Sequence, residues 1–290
     1  MDLTRQDNPD TSLTKNIFSP KCTSSGSTTL ALITGFQYSK NLELKSVIVD
    51  IYLVHKYCVE KGFKTYIITD IEEDVIGNFG DSILHDEMVT GDAIDFVKEN
   101  LKQKRLINIK TVSELTNKVT KFLKHEIYKN LFFYYSGHGD KGYFYVTEHE
   151  RIQMKMFREI IEESVHSQTK ILLLIDSCDS FWAPLQYEIN KSGQSVFTAL
   201  SQVPPRREIV CICQAEKHSY MNNHGSVFTR TIMQLFRKNI ITLNHLLLET
   251  NQGLKNSHCC KIYCSIYGEN SLWDWVRRAP VHIDKYAFFA

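Results

Sequence analysis

The sequence contains no long apolar run. Its most hydrophobic stretches, such as Ile171–Ile175, fall far short of the roughly 20 residues that a membrane-spanning helix needs, so no membrane is expected. The first residues, Met1-Asp2-Leu3-Thr4-Arg5-Gln6-Asp7, are polar and mixed in charge, so no secretory leader is expected either. An excess of one charge is also missing: 34 Lys and Arg stand against 33 Asp and Glu, a net charge of +1. Nucleic acids and anionic surfaces are recognised through accumulated positive charge, so neither is an expected partner. There is no internal repeat. The eight cysteines have no secretory context, and they read as reduced thiols of a cytoplasmic protein. They lack paired zinc spacing as well. Cys211 and Cys213 alternate as along a strand, and His258-Cys259-Cys260-Lys261-Ile262-Tyr263-Cys264 is one cluster with no second pair.

What is present is ordinary globular composition. The 290 residues, 43% hydrophobic and 23% charged, suffice for a buried core in one large domain or two small ones. Residues 1–27, rich in Ser, Thr, Asn and Pro, read as a flexible N-terminal tail. Leu30–Gly35 is a continuous apolar run closed by glycine, as expected of a strand covered on both faces. Val47, Ile51, Val54 and Cys58 recur at helical spacing up to Glu60, and Gly62 follows as a stop. Lys64–Asp70 is a second strand, completing a βαβ outline that predicts a parallel sheet. Ile71–Ile109, acidic at Glu72, Glu73, Asp74, Asp81, Asp86, Glu87, Asp92 and Asp95, reads as an irregular excursion at the sheet edge. Thr111-Val112-Ser113-Glu114 has capping-box order and opens a helix to about Glu126. Strands are expected at Leu131–Gly137, Lys170–Asp176, Ile209–Gln214 and Lys261–Tyr267. Helices are expected at Gln153–His166, Ser226–Lys238 and about Leu243–Lys255. Asp179–Glu208, with Pro184, Pro204 and Pro205, reads as a long loop of a size that is usually functional or cleavable.

Two strand ends carry chemistry. The run Leu131–Tyr135 ends in Ser136-Gly137-His138-Gly139, and Lys170–Ile175 ends in Asp176-Ser177-Cys178. In an open parallel sheet, ligands bind beyond the carboxyl ends of the strands. Neighbouring strands lie about 4.8 Å apart, so residues leaving adjacent ends can meet. A thiol beside an imidazole is the minimal equipment for nucleophilic catalysis, and glycines around the histidine leave backbone N–H groups open to an oxyanion. Taken singly, a cysteine is more often a small buried hydrophobe. Asp176 and Asp179 flank the thiol, and negative charge disfavours a thiolate unless His138 as a cation outweighs it.

These motifs resemble those of the caspase-like cysteine peptidases, in particular metacaspases and paracaspases. The resemblance spans roughly residues 28–267 and includes Ala31–Gly35, Val49-Asp50-Ile51-Tyr52, Cys213-Gln214-Ala215-Glu216 and Gly225-Ser226-Val227-Phe228-Thr229. It implies a three-layer α/β/α sandwich with a mainly parallel six-stranded sheet. It places residues 28–290 in one peptidase domain: a large-subunit-like part over 28–180, a linker loop over about 181–208 and a small-subunit-like part over 209–290. It implies His138 as general base and acid, Cys178 as nucleophile, and the backbone N–H groups of Gly139 and Cys178 as oxyanion hole. Asp50, Asp176 and Glu216 fall where these families place the carboxylates of an acidic S1 pocket, which implies Arg or Lys at P1. A solvated or N-terminal helix Asp is an equal reading of Asp50.

Protein and peptide substrates are thus the implied partners, and no cofactor is expected. The acidic stretch Ile71–Asp95 leaves calcium activation open without EF-hand spacing. Metacaspases usually follow the Cys with His-Ser-Gly, where this chain has Asp179-Ser180-Phe181. That departure motivates an alternative, an inactive homologue acting as scaffold or decoy; a peptidase with Asp at P1 is another. Lys191 and Arg206-Arg207 are candidate self-cleavage points, and the resemblance leaves monomer against homodimer undecided.

Overall fold

The computed structural model describes residues 29–38, 44, 46–72, 89–125, 127–178, 185–189, 195–199, 209–214, 221–222, 224–238, 249–250, 252 and 262–267. The N-terminal tail, Glu216, the Asp179-Ser180-Phe181 segment, Lys191 and Arg206-Arg207 lie outside these residues, as does most of the expected helix over 243–255.

The heart of the molecule is a sheet of six parallel strands. In chain order these are β1 (Thr29–Gly35), β2 (Lys64–Thr69), β3 (Leu106–Asn108), β4 (Asn130–Ser136), β8 (Lys170–Asp176) and β11 (Ile209–Gln214). Across the sheet they run β11-β8-β4-β1-β2-β3. All of β1 is buried, and only the first residues of β4 and β8 emerge. Strands covered on both faces need no polar alternation, which is why they read as unbroken apolar runs. Alternate residues enter opposite layers. Ala31, Ile33, Phe132, Tyr134, Leu172 and Leu174 pack with α1 (Val47–Glu60), α2 (Val89–Lys102) and α5 (Val227–Arg237). Leu30, Leu32, Leu131, Phe133, Leu173 and Ile175 pack with α3 (Val112–His125) and α4 (Met154–Ser164). The result is the expected three-layer α/β/α sandwich.

The start of α3 follows the capping box with one shift. The Glu114 N–H donates to Thr111 Oγ1 at 3.1 Å, while the Glu114 carboxylate accepts from the Lys110 N–H at 2.6 Å, one residue earlier than the motif requires. Helix α5 is capped at Ser226, whose hydroxyl accepts from the Phe228 N–H at 3.2 Å.

Two expectations need correction. The excursion over 71–109 contains α2 and the edge strand β3, which pairs parallel with β2. Part of its acidity belongs to a helix face: Ala93, Phe96 and Val97 are buried, while Asp92, Asp95 and Glu99 stay in solvent. The stretch over 181–208 is not all loop. It contains β9 (Leu185–Ile189) and β10 (Ser195–Ala199), an antiparallel pair. Strand β9 adds to β14 (Ile262–Tyr267), which runs antiparallel to β11, so among the described residues the sheet has nine strands, six of them parallel. A small antiparallel ribbon, β5 (Gly139–Asp140), β6 (Tyr143–Tyr145) and β7 (Arg151–Gln153), stands directly after β4.

Candidate active site

The central strands β4 and β8 pair in register to their last residues, with Ser136 opposite Asp176. The contact continues past the strands, since the Gly137 N–H donates to the Asp176 carbonyl at 3.2 Å. His138 and Cys178 therefore leave adjacent ends of the sheet, and both are partly exposed. Of the three cysteines whose side chains are described, Cys58 and Cys211 are buried and Cys178 is partly exposed. Burial pushes the Cys58 thiol well above its usual range, leaving it inert.

Gly139 shows how closely the two ends approach. A Cβ at this position would collide with the Cys178 carbonyl oxygen and sit 2.7 Å from Ser177 Oγ. Only glycine lets the backbone after the histidine lie against the backbone that carries the thiol. The two N–H groups implied for an oxyanion hole thus belong to segments in contact.

Beneath these ends lies a buried polar network. Asp50, in the first turn of α1, is fully buried, and its carboxylate accepts from the Ser226 N–H at 2.8 Å and from the Ser136 hydroxyl at 2.9 Å. Asp176 is fully buried too, and accepts from the Thr229 hydroxyl at 2.5 Å. The Tyr134 hydroxyl lies 2.6 Å from the same Thr229 oxygen. Desolvation drives the Asp50 carboxyl well above the usual carboxylate range, and the charge of Asp176 adds to this; hydrogen bonds from Ser226 and Ser136 and the charge of Arg230 oppose it. The structure therefore brings Asp50 and Asp176 together, sealed from solvent and tied to the start of α5. Asp50 is the N-terminal helix Asp of the alternative reading, but it is buried rather than solvated. Of the acidic stretch considered for calcium, residues 73–88 fall outside the described residues.

Gly225 completes this network. It adopts φ +91°, and a Cβ there would lie 2.6 Å from Asp50 Oδ1. Gly225→Ala is expected to lose about 1–3 kcal/mol of stability through backbone strain and a displaced buried carboxylate, read as a lower Tm or denaturant midpoint.

Sequence reasoning missed several residues of the site. Ser136 and Thr229 hold the two carboxylates, and Tyr38, Asp70 and Tyr135 support the His138 turn. Ser136 and Thr229 stand inside the quoted motifs, whereas Tyr38, Asp70 and Tyr135 carry only a signal of position, at or just beyond the ends of β1, β2 and β4.

A family model for the caspase domain matches residues 28–271. The chain belongs to the caspase-domain family. That domain is a cysteine-peptidase domain acting on protein substrates, which fits a partly exposed thiol at a sheet end. The fold is also similar to that of the crystal structure of caspase-1 from Spodoptera frugiperda, at TM-score 0.50 and 12% identity, over 85% of this chain and 92% of that one. At that identity the likeness concerns the fold alone. No curated protein sequence matches the chain.

Proposed function

We propose that this caspase-domain chain is a cysteine endopeptidase with His138 and Cys178 as its dyad. His138 takes the thiol proton of Cys178 as the sulfur attacks the scissile carbonyl carbon, and the Gly139 and Cys178 N–H groups receive the developing oxyanion. The C–N bond breaks as His138 gives its proton to the leaving amine, and water then hydrolyses the acyl-thioester. The observation that carries this reading is the direct contact of Gly139 with Ser177 and Cys178 at the ends of β4 and β8. An electrophilic peptide with Arg at P1 tests it: a covalent adduct on Cys178 is expected. No adduct, with or without calcium, favours the scaffold reading.

We further propose Arg or Lys at P1, with Asp176 and Asp50, and Glu216 from outside the described residues, supplying the charge. The support is electrostatic. Burial and the charge of Asp176 already disfavour ionisation of Asp50, so a substrate Asp would meet a site hostile to further negative charge, whereas a cation would favour both carboxylates in their charged form. Entry requires the Thr229 hydroxyl to yield its bond to Asp176. In a paired assay, Arg-ending fluorogenic peptides should be hydrolysed and Asp-ending ones spared. Asp176→Ala should narrow the ratio by about tenfold or more. A preference for Asp at P1 would overturn the assignment.

The complete burial of Asp50 and Asp176 favours one second reading, in which the pair ties α5 to α1 and the chain binds partners without turnover. Asp176, where true caspases have Gln, supports placing the chain with metacaspases or paracaspases, and cysteines that read as reduced thiols support action in the cytoplasm. Strand β9 occupies the outer edge of β14, which supports a monomer.

A further inference from the structure

We infer that Tyr38 is a positioning residue for His138 and that Asp70 holds Tyr38 in place. This rests on the dyad reading above. The chain leaves β1 at Phe36, whose N–H donates to the Ser136 carbonyl at 3.0 Å, so β1 and β4 stay paired one step past their ends. Tyr38 then turns into the left-handed region at φ +62°, where a bulky side chain is rarely found. Asp70, just after β2, accounts for that turn: its two carboxylate oxygens accept from the Gln37 N–H at 2.7 Å and the Tyr38 N–H at 2.8 Å.

The turn aims Tyr38 at the histidine. Its hydroxyl accepts from the His138 N–H at 3.0 Å, donates to the Tyr145 carbonyl at 2.9 Å and lies 3.1 Å from the Tyr135 hydroxyl. The Tyr135 hydroxyl in turn stands 2.8 Å from the His138 carbonyl and 2.7 Å from the Tyr145 carbonyl. The Tyr145 N–H donates to the His138 carbonyl at 3.1 Å, so both backbone polar groups of His138 are held. Finally, the Tyr38 ring lies 4.8 Å from the imidazole, centre to centre, inclined by 34°.

Packing alone does not explain this arrangement. Tyr38 is 4% exposed and Tyr135 fully buried, and phenylalanine would fill either place with one polar atom fewer to satisfy. Desolvation keeps both phenols protonated, so they act as fixed neutral hydrogen-bonding groups. Their hydroxyls converge on the His138 turn and its return strand, and a strained backbone is retained to bring one of them there. A general base gains from such support because small misplacement costs large factors in rate.

The test compares His138→Ala, Tyr38→Phe, Tyr38→Leu and Asp70→Ala with the unmodified chain, using iodoacetamide and mass-spectrometric counting of the Cys178 adduct. This readout needs no substrate. His138→Ala should slow alkylation about a hundredfold. Tyr38→Phe and Asp70→Ala should slow it about threefold to thirtyfold, and Tyr38→Leu more. On an Arg-ending fluorogenic peptide amide, Tyr38→Phe should lower kcat by a similar factor and leave KM within about twofold, with kcat expressed per active site counted by the Cys178 adduct so that partial unfolding does not mimic the loss. If His138→Ala slows alkylation while a folded Tyr38→Phe reacts at the unmodified rate, Tyr38 has no positioning role and the dyad stands. If His138→Ala reacts at the unmodified rate, the dyad reading itself falls. Near-ultraviolet circular dichroism confirms folding, and Tyr38→Phe, which keeps the ring, is decisive if Tyr38→Leu does not fold.

Discussion

Replacement of Cys178 by alanine is expected to lower kcat/KM by about a thousandfold or more, with the fold intact. The chemistry requires a sulfur that can reach a peptide carbonyl. The two alternatives whose side chains are described, Cys58 and Cys211, are both buried. Cys178 is partly exposed at the end of β8, so removing its sulfur costs little packing, and Tm should stay within a few degrees. His138→Ala should bring a loss of similar order, and the double variant should be no worse than the Cys178 variant, because groups that act as a unit are not additive. Undiminished hydrolysis by a purified Cys178→Ala protein would reject the nucleophile. Loss in Cys178→Ala with full activity in His138→Ala would place the base elsewhere.

Gly139→Ala is expected to lower kcat/KM by about a hundredfold while leaving both catalytic side chains present. The added methyl meets the Cys178 carbonyl oxygen, a backbone atom, and Ser177 Oγ at 2.7 Å. A flexible side chain would move aside; the Cys178 carbonyl, two residues beyond a strand paired in register with β4 along its whole length to Asp176, has less room to do so. The clash therefore separates the His138 turn from the Cys178 backbone, spreading the two oxyanion donors. Overpacking of this kind costs about 1–3 kcal/mol, so the protein should still fold, with a lower Tm. Unimpaired activity in Gly139→Ala would show that contact between the two strand ends is not needed for turnover.

The sequence made the central strands readable because burial on both faces leaves little but apolar residues in β1, β4 and β8. The two candidate catalytic residues were readable for a related reason, as each stands just beyond such a run. Helix α2 was not, because its buried Ala93, Phe96 and Val97 are spaced among acids that make the stretch look like a solvated loop. The hairpin of β9 and β10 was hidden by Pro184, Pro204 and Pro205, which punctuate the stretch yet lie outside both strands. The support of His138 was least accessible. Tyr38 and His138 are 100 positions apart, and Asp70 is 32 beyond Tyr38. Only the lateral order β4-β1-β2 brings them side by side. Single-sequence periodicity reports which face a residue takes, and it carries no information on which strands become neighbours.

The hairpin changes what a cut in the stretch over 181–208 would mean. Strands β9 and β10 are joined to each other over five paired positions, and β9 rests on β14. A break at Lys191, between the two strands, would sever the polypeptide but leave the sheet sewn across the gap. The two fragments would travel as one particle until denatured. Scission at Arg206 or Arg207 falls instead between β10 and β11, so the hairpin would stay with the thiol-bearing fragment while gripping a strand of the other. In either case the ladder of backbone hydrogen bonds, rather than chain continuity, would hold the nicked molecule together.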